Sequence, residues 1–510
     1  MLDAARRPGG DGVPNQPCKI DASEENLAKL TAEAWGAIQS ANSPPTLFRY
    51  GAVLSRIETD DGGAPVLRPM TVDRMRHRLA RDAYWFRLDA KGREQSIAPP
   101  LPVVRDVLAT PDPNLPILTR IVEAPTFAGD GSLCTDPGYN AKNRTFYAPA
   151  SGFTLSPIST QPSADEINEA RGLLTDELIG DFPFDGEAEK AHAVAALLGP
   201  FIRDMIDGPT PLHSIEAPTP GTGKTLLVEL LTYPSLGRPI AAMTEGRDED
   251  EWRKRLFAKL RTAPSTLLLD NVKRRLESGA LASAITSYPL WEDRILGVSE
   301  IARVPVRCVW ISTGNNPALS SEMTRRTVRI RLDARIDRPW LRKGFRHGDI
   351  RDWATSNRSR LVWAALTLIQ AWIAAERPEG GRTLGMFEQW SRTMGGILYV
   401  GDIPGFLGNL SDFYEKSDAE GSAVRGFVAS WWTAQGGAAV TTSALWPIAT
   451  DSGLDLGDKG EQSQKIRLGK LLKDMRDRTF NVTLSDQEMH LRIELDGTNH
   501  RANVWRLVVQ

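Results

Sequence analysis

The chain has few of the residues that build metal centres, disulfide frameworks or membrane spans. Its 510 residues include only six histidines and three cysteines, Cys18, Cys134 and Cys308, which are far apart and form no metal-binding pair. Such spacing favours reduced thiols in a cytoplasmic protein. No run of about 18 apolar residues occurs, which argues against a membrane-spanning helix. The formal net charge is −2, so any contact with nucleic acid would come from local basic patches.

The length predicts several domains, because a single core stops growing well below this size. A Gly-, Ser- and Asp-rich stretch around 416–422 indicates a linker. The N-terminal residues lack the apolar centre of a signal peptide, so we expect a flexible tail there. The predicted division is a tail over 1–20, an accessory α+β domain over 21–160, a helical collar over 161–207, a core domain over 208–345, a helical extension over 346–415 and a C-terminal domain over 423–510.

From Pro211 onward, short apolar runs alternate with helical patterns. This alternation predicts an α/β fold with a mainly parallel sheet covered by helices. The predicted strands are Leu212–Ala217, Pro239–Met243, Ser265–Leu269, Arg307–Thr313 and Val328–Leu332. The predicted helices are Leu226–Leu231, which should stop before Pro234, Asp248–Thr262 and Ser278–Ser287.

A glycine-rich loop follows the first of these strands. Residues 218–225 fit the Walker A pattern G-x4-G-K-[ST], with Pro218 in place of the first glycine. Glycines allow backbone N–H groups to point at phosphate oxygens, Lys224 adds a positive charge, and the Thr225 hydroxyl would bind Mg²⁺. We therefore predict ATP contacts from Pro220, Gly221, Thr222, Gly223, Lys224, Thr225 and Leu226. The alternative is a glycine-rich turn that binds no nucleotide.

A second element, Thr266–Asp270, is an apolar strand that ends in a carboxylate, the Walker B form. Asp270 would hold Mg²⁺. Asn271 follows, where many such motors have a glutamate. An amide cannot act as a general base, but it can orient a water. Either hydrolysis is weak, or another carboxylate acts as the base; the candidates, in no order, are Glu216, Glu251 and Glu300.

Two further elements complete the predicted site. The strand at Val309–Thr313 delivers Asn315 and Asn316 to the sheet edge where ligands bind, and one of these amides would contact the γ-phosphate or the attacking water. Arg325 and Arg326 precede the last strand, where they would reach the γ-phosphate of a neighbouring subunit. Such an arginine accelerates transfer by about 10³–10⁵. The alternative for these arginines is a solvated basic turn.

These four elements, in this order, resemble the helicase part of phage and plasmid primase–helicases, which are superfamily 3-like members of the AAA+ ATPases. The resemblance covers about residues 45–410. It includes the motifs Asp130–Leu133, Pro137–Asn140, Leu269–Val272, Thr313–Pro317, Arg325–Arg326 and Asp337–Pro339. It implies a homo-hexamer that hydrolyses ATP with Mg²⁺ at subunit interfaces and moves on single-stranded or forked DNA. No cluster of primase carboxylates precedes residue 200, so a primase would be a separate protein.

Two regions are predicted to contact DNA. Two short β-like runs around a turn, which begin at Arg294 and Arg303, predict a hairpin. The resemblance implies that this hairpin grips the phosphate backbone of DNA; the alternative is a hairpin packed at a subunit interface. In the C-terminal domain, a helix over Gln464–Arg478 carries Lys470 and Lys473 largely off its apolar stripe, and strands follow it. This order resembles a winged-helix domain, although a basic helix face is often only solvated.

The resulting interpretation is an ATP-dependent, ring-forming DNA helicase for replication of a phage, plasmid or other mobile element. The alternative is a nucleotide-regulated DNA-binding protein with slow turnover, such as an origin binder, a loader or a defence switch; Asn271 and the C-terminal domain keep it open. A AAA+ remodeller of proteins fits less well, because the sequence shows no signature for binding a protein substrate.

Overall fold

The computed structural model describes residues 18–294, 301–417, 419–484, 487–499 and 502–510. The chain divides into two compact units, a first unit of Met1–Ala318 with Arg325–Asn409, and a second unit of Leu319–Thr324 with Leu410–Gln510. No helix in the described ranges is long and apolar enough to cross a membrane. Most of the predicted tail lies outside the described residues. Its last residues do not, because Cys18–Asp21 pairs with another strand.

The N-terminal part of the first unit consists of small sheets packed with three helices. In chain order its elements are β1 (Cys18–Asp21), α1 (Leu27–Ala41), β2 (Leu47–Tyr50), β3 (Val53–Thr59), β4 (Pro65–Pro69), α2 (Val72–Asp82), β5 (Ala83–Leu88), β6 (Glu94–Ser96), α3 (Leu101–Ala109), β7 (Arg120–Val122), β8 (Thr126–Phe127), β9 (Leu133–Cys134), β10 (Gly138–Asn140) and β11 (Thr145–Tyr147). Helices α1, α2 and α3 bury their apolar faces against β1 and β5. These residues form mixed α and β structure within the first unit, and a separate accessory domain over 21–160 stays a prediction.

The central part of the chain alternates strands and helices. Its elements are α4 (Ala164–Gly172), a π-helix (Leu173–Leu178), α5 (Glu187–Ile202), β12 (Leu212–Ala217), α6 (Lys224–Leu236), β13 (Ala242–Met243), α7 (Glu249–Leu260), β14 (Thr266–Val272), α8 (Gly279–Thr286), β15 (Leu290–Arg294), β16 (Ile301–Pro305), β17 (Val309–Asn315), α9 (Ser321–Thr324), β18 (Thr327–Arg331), α10 (Ile350–Ser356), α11 (Arg358–Ala374) and α12 (Glu388–Val400).

Five of these strands form one parallel sheet in the order β13-β14-β17-β12-β18. Strand β12 therefore lies between two strands that follow it much later in the chain. A loop that leaves the carboxyl end of such a strand opens into a crevice, and crevices of this kind bind ligands in open α/β sheets. The predicted α/β fold with a mainly parallel sheet is confirmed for this part of the chain.

Helix α6 differs from the prediction that it would stop before Pro234. It continues to Leu236 and ends at Gly237, which adopts a left-handed conformation (φ 67°) and donates its N–H to the Tyr233 carbonyl. Pro234 lies in the last turn and is buried, so the absence of one backbone hydrogen bond is offset by packing. The predicted strand over Pro239–Met243 is also shorter, since only Ala242 and Met243 pair with β14.

The predicted linker around 416–422 is wrong, because helix α14 begins at Ala419. Besides α9, the second unit contains α13 (Leu410–Ser417), α14 (Ala419–Gln435), β19 (Val440–Thr441), α15 (Thr442–Asp451), α16 (Glu461–Asp474), β20 (Thr479–Leu484), β21 (Gln487–Asn499) and β22 (Ala502–Val509). In α14, the side chains of Val424, Phe427, Val428 and Trp431 recur at helical spacing and are buried. This apolar stripe outweighs the Gly- and Ser-rich start of the helix. The four strands form a sheet in the order β19-β22-β21-β20.

Candidate nucleotide-binding site

The glycine-rich loop joins the carboxyl end of β12 to α6, as predicted. Gly221 and Gly223 have φ angles of 77° and 101°, which favour glycine. A Cβ on Gly221 would lie 2.9 Å from Cε3 of Trp340, and one on Gly223 would lie 3.3 Å from Cε1 of Phe182. Two aromatic side chains that the sequence did not indicate therefore flank the loop. The glycines are required both for the backbone conformation and for the space beside it.

The amino end of α6 has the properties of an anion site. Gly223 occupies the N-cap position and provides no side-chain cap, so the first N–H groups of the helix remain available at its positive end. Lys224 and Thr225 form the first turn. The Thr225 hydroxyl is exposed and has no hydrogen-bond partner among the described residues. These groups fit a triphosphate and its metal ion.

Lys224 and Asn315 are in direct contact. The Lys224 ammonium donates a hydrogen bond of 2.6 Å to Asn315 Oδ1, because β12 and β17 are neighbours and Ala217 lies opposite Asn315. Burial lowers the pKa of Lys224, and the Asp270 charge opposes that shift. Asn316 instead accepts a hydrogen bond of 3.0 Å from Arg331. Of the two amides left open by the sequence, Asn315 is the one placed at the phosphate loop.

Asp270 is held by a residue whose role the sequence did not reveal. The Thr313 hydroxyl donates to Asp270 Oδ1 at 2.7 Å and accepts the Asn271 backbone N–H at 2.7 Å. One hydroxyl on the predicted sensor strand therefore contacts both Asp270 and Asn271 at the end of the predicted Walker B strand. Strand alternation was the available signal, since Thr313 lies two residues before Asn315 and shares its face of the sheet.

Asn271 occupies a bulge at the end of β14. The pairing with β17 shifts register between Leu269 and Val272, and Asn271 has a φ of 58°. Asparagine is among the residues that tolerate this left-handed conformation best. The Asn271 side chain is exposed and has no partner among the described residues, so its amide is available to orient a water.

The structure assigns no general base from the three candidate carboxylates. Glu216 is buried, accepts a hydrogen bond of 3.0 Å from Arg331, and has its pKa raised by burial. It lies opposite Gly314, so strand alternation turns it to the face opposite Thr313 and Asn315. Glu251 is on α7, where it pairs with Lys254 and Arg255. Glu300 lies outside the described residues.

Arg325 and Arg326 are at the other edge of the sheet. They precede Thr327, which lies beside Leu212 at the amino end of β12. The phosphate loop leaves the carboxyl end of the same strand, five residue steps or roughly 17 Å away. Arg325 is exposed and makes no ion pair within the described ranges. Neither arginine is placed to contact the phosphate site of its own chain.

The residues predicted to contact DNA lie on the hairpin of β15 and β16 and on helix α16. Arg303, on the hairpin of β15 and β16, donates to Glu292 Oε2 across the strand pair at 2.6 Å. Arg294 ends β15, but its side chain lies outside the described residues. In the second unit, Lys470 and Lys473 are exposed on α16, while Leu468 and Leu472 of the same helix are buried.

The residues present fit Mg²⁺ rather than a metal held entirely by protein ligands. The part of the chain that the structure describes contains no group of three His, Cys, Asp or Glu residues that could hold a metal. Mg²⁺ commonly takes only one or two protein ligands, with the remainder from water and substrate phosphates. The Thr225 hydroxyl and the Asp270 carboxylate would supply that small set.

Comparison with known proteins gives no family. No family model and no curated protein matches the chain. A solved apo structure of the NrS-1 C-terminal region, residues 305–718, is 10% identical and covers 94% of this chain and 98% of that one, with a TM-score of 0.38. A second NrS-1 structure is 11% identical, with 86% and 99% covered and a TM-score of 0.37. A JCV helicase structure is 13% identical, with 51% and 62% covered and a TM-score of 0.22. At these values the likeness carries no argument, so the case rests on the geometry of the site.

Proposed function

We propose that this protein binds and hydrolyses ATP with Mg²⁺ at the carboxyl edge of the parallel sheet, and that hydrolysis drives movement on DNA. The observation that carries the proposal is the contact of Lys224 with Asn315 beside an uncapped helix N-terminus. Asp270, tied to the same strand by Thr313, supports a metal site next to that contact.

Each residue has a defined task in this proposal. The backbone N–H groups of 221–225 bind the triphosphate, and Lys224 transfers its hydrogen bond from Asn315 to a phosphate oxygen. Thr225 and Asp270 hold Mg²⁺, which when bound neutralises charge that develops on the phosphates. Asn315 and Asn271 then orient the attacking water. Phe182 and Trp340 flank the loop and are the candidates for stacking on the base.

The site is incomplete within one chain. Transfer of a phosphoryl group is accelerated when an arginine neutralises its oxygens, and Arg325 is exposed roughly 17 Å from the phosphate loop of its own chain. We therefore propose that a second copy places Arg325 or Arg326 at this site, as the predicted homo-hexamer requires. The motor is a superfamily 3-like AAA+ helicase in this account, and its primase is a separate protein.

The second unit is proposed to bind DNA. We propose that it is a winged-helix-like domain in which α16 contacts the duplex, and its order from α14 onward of helix, short strand, two helices and three strands supports this. Lys470 and Lys473 are exposed on that helix and make no ion pair among the described residues. Phosphate contacts from these lysines would weaken as salt increases, because binding releases counterions.

One observation favours the alternative function. Asn271 stands where a base would act, and neither described candidate carboxylate lies free beside it. A protein of this kind would bind ATP to control assembly on DNA and would turn over slowly, as an origin binder, a loader or a defence switch does.

The test is phosphate release by the full chain with ATP and Mg²⁺, with and without a dT oligomer, together with unwinding of a forked duplex. Lys224→Ala removes the phosphate charge, and Lys91→Gln, on a distant exposed turn, is the matched control. The proposal expects DNA-stimulated hydrolysis and unwinding that Lys224→Ala abolishes and Lys91→Gln leaves intact. Nucleotide-dependent assembly without unwinding selects the alternative. A protein that neither binds nor hydrolyses ATP contradicts both.

A further inference from the structure

Three consecutive cations follow directly after the strand that carries Asp270 and Asn271. Lys273, Arg274 and Arg275 are all exposed, and the residues on either side of them, Val272 and Leu276, are only 3% and 2% exposed. Leu276 also donates its N–H to the Ala318 carbonyl at 2.8 Å. The basic loop 273–275 is thus a short projection whose two ends are fixed in the core.

The carboxylates around this loop are bound to backbone groups. Glu245 Oε2 accepts the N–H groups of Lys273 and Arg274, each at 3.2 Å. Glu249 accepts the N–H groups of Gly279 and Ala280 at the start of α8. These acids therefore fix the backbone of the loop and of the next helix, while the cationic side chains extend toward solvent.

Two of the three cations, Lys273 and Arg274, are weakly neutralised. Lys273 makes no ion pair in the described part of the chain. Arg274 lies 3.8 Å from Glu245 and also donates to the Arg247 carbonyl at 3.2 Å. Arg275 lies 3.8 Å from Glu277, and its own side chain is 38% exposed. The loop therefore presents concentrated positive charge on a fixed backbone.

We propose that the basic loop 273–275 binds the phosphate backbone of single-stranded nucleic acid, and that its occupancy controls hydrolysis through Asn271. Consecutive cations on a fixed backbone match the repeated charges of a nucleic-acid strand. Only Val272, which pairs with Gly314 of β17, separates Lys273 from Asn271. A shift of the loop on binding therefore also shifts the bulge that carries Asn271. It shifts the Thr313 hydroxyl as well, because that hydroxyl accepts the Asn271 backbone N–H.

The binding half of this inference stands alone, whereas the control half rests on the proposed ATP hydrolysis. The binding test uses the full chain without nucleotide and a fluorescein-labelled dT oligomer, whose anisotropy is followed over a series of KCl concentrations. The double variant Lys273→Gln/Arg275→Gln removes two charges, and Lys273→Arg/Arg275→Lys keeps them. Lys91→Gln removes an exposed charge elsewhere.

We expect the charge-removing double variant to weaken oligomer binding roughly tenfold and to lower the slope of log affinity against log salt by about 0.7 for each phosphate that is no longer neutralised. The charge-keeping variant should bind as the wild type does, which excludes a folding defect. An unchanged affinity and salt slope in the charge-removing variant overturns the inference, as does an equal reduction in Lys91→Gln. Polyglutamate that displaces the oligomer at equal charge concentration would indicate an acidic protein partner instead and overturns it too.

The control half is tested by the ratio of phosphate release with saturating oligomer to release without it. We expect the charge-removing variant to lose most of this stimulation even when the oligomer is raised to saturate it. Full stimulation at saturation overturns the control half. If the wild type hydrolyses no ATP but the binding results hold, the proposed function fails and the basic loop remains a nucleic-acid site.

Discussion

The two edges of the parallel sheet differ in how their polar side chains are used. At the carboxyl edge, Lys224 is bonded to Asn315, and Thr313 is bonded to Asp270, at 2.6 and 2.7 Å. At the amino edge, Arg325 is exposed and has no ion-pair partner among the described residues. In the proposed function the carboxyl edge binds the phosphates, while the cation at the amino edge lies too far away to reach the phosphate loop of its own chain. The proposed site therefore needs both edges, contributed by two copies.

The largest predicted effect comes from the amino edge. Arg325→Ala should lower the rate of ATP hydrolysis by about 10³ or more, because the transferred phosphoryl group loses a neutralising charge. ATP affinity should change little, since the triphosphate is bound mainly at the carboxyl edge. Steady-state hydrolysis and equilibrium binding of a fluorescent ATP analogue measure the two quantities. Comparison with Arg326→Ala identifies which arginine acts. A reduction in rate of less than about threefold in both variants would show that neither arginine takes part in hydrolysis, because a neutralising arginine contributes far more.

A smaller effect is predicted for Thr313 at the carboxyl edge. Thr313→Val removes a hydrogen bond to a carboxylate, worth about 1.5–3 kcal/mol, so hydrolysis should fall roughly 10- to 150-fold. Thr313→Ser keeps the hydroxyl and should recover most of the rate. The half-saturating Mg²⁺ concentration should rise in the valine variant alone. Equal rates in the valine and serine variants would show that the hydroxyl does not position Asp270.

Strand β18 runs from the amino edge of the sheet to the carboxyl edge. The stability contributed by its hydrogen bond with His192 should depend on pH. His192 is fully buried, donates to the Arg329 carbonyl from Nδ1 at 2.8 Å, and accepts the Leu407 N–H at Nε2 at 2.9 Å. Burial lowers the pKa of His192 to about 3. The unfolded chain, with a His pKa near 6.5, takes up a proton first as the pH falls. Stability is therefore complete above about pH 6.5 and decreases between there and pH 3.

The free energy of unfolding should fall by about 2 kcal/mol from this group between pH 7 and pH 5. Urea unfolding at a series of pH values measures it in the wild type, in His192→Gln and in His490→Gln, which alters an exposed ring. The His192 variant should lose about that much of the pH dependence, whatever its absolute stability. An identical pH dependence in all three proteins would contradict a buried neutral His192.

The smallest effects are expected at the hairpin. Arg303 is already paired with Glu292 at 2.6 Å. Because this pairing compensates its charge locally, Arg303→Gln should change the affinity for a dT oligomer by less than about threefold. Glu292→Gln leaves Arg303 unpaired and should strengthen binding slightly. Anisotropy titrations beside the basic-loop variants measure both. A reduction of about tenfold in Arg303→Gln would make the hairpin the principal DNA contact, as for a side chain that directly neutralises a phosphate.

The sequence alone was sufficient to predict the elements that have strong local patterns. Strand β12, the phosphate loop and the strand with Asp270 were predicted from apolar runs and glycine positions, because those signals are local. Strand alternation places Thr313 on the same face as Asn315. The bulge at Asn271 and the hydrogen bond of Thr313 to Asp270 also depend on the register between strands far apart in the chain, which no local pattern contains. The positions of Trp340 and Phe182 beside the phosphate loop could not be predicted either, because they depend on contacts between distant parts of the chain.

Composition misled the prediction where packing decided the structure. Helix α14 begins within a Gly- and Ser-rich stretch, but its apolar stripe packs on the core of the second unit. Helix α6 continues through Pro234 because its last turn is buried. Pairing also changed the interpretation of the hairpin, since the partner of Arg303 became visible only with the register of β15 and β16.

The most direct test of a site divided between two copies is a mixing experiment. Lys224→Ala and Arg325→Ala proteins are each assayed alone and then mixed in a series of ratios, with ATP, Mg²⁺ and a dT oligomer present. The account predicts that each is inactive alone and that mixtures regain hydrolysis, highest near equal amounts, because some interfaces then join an intact Lys224 to an intact Arg325. No recovery at any ratio, with co-assembly shown by tagged pull-down, would contradict it.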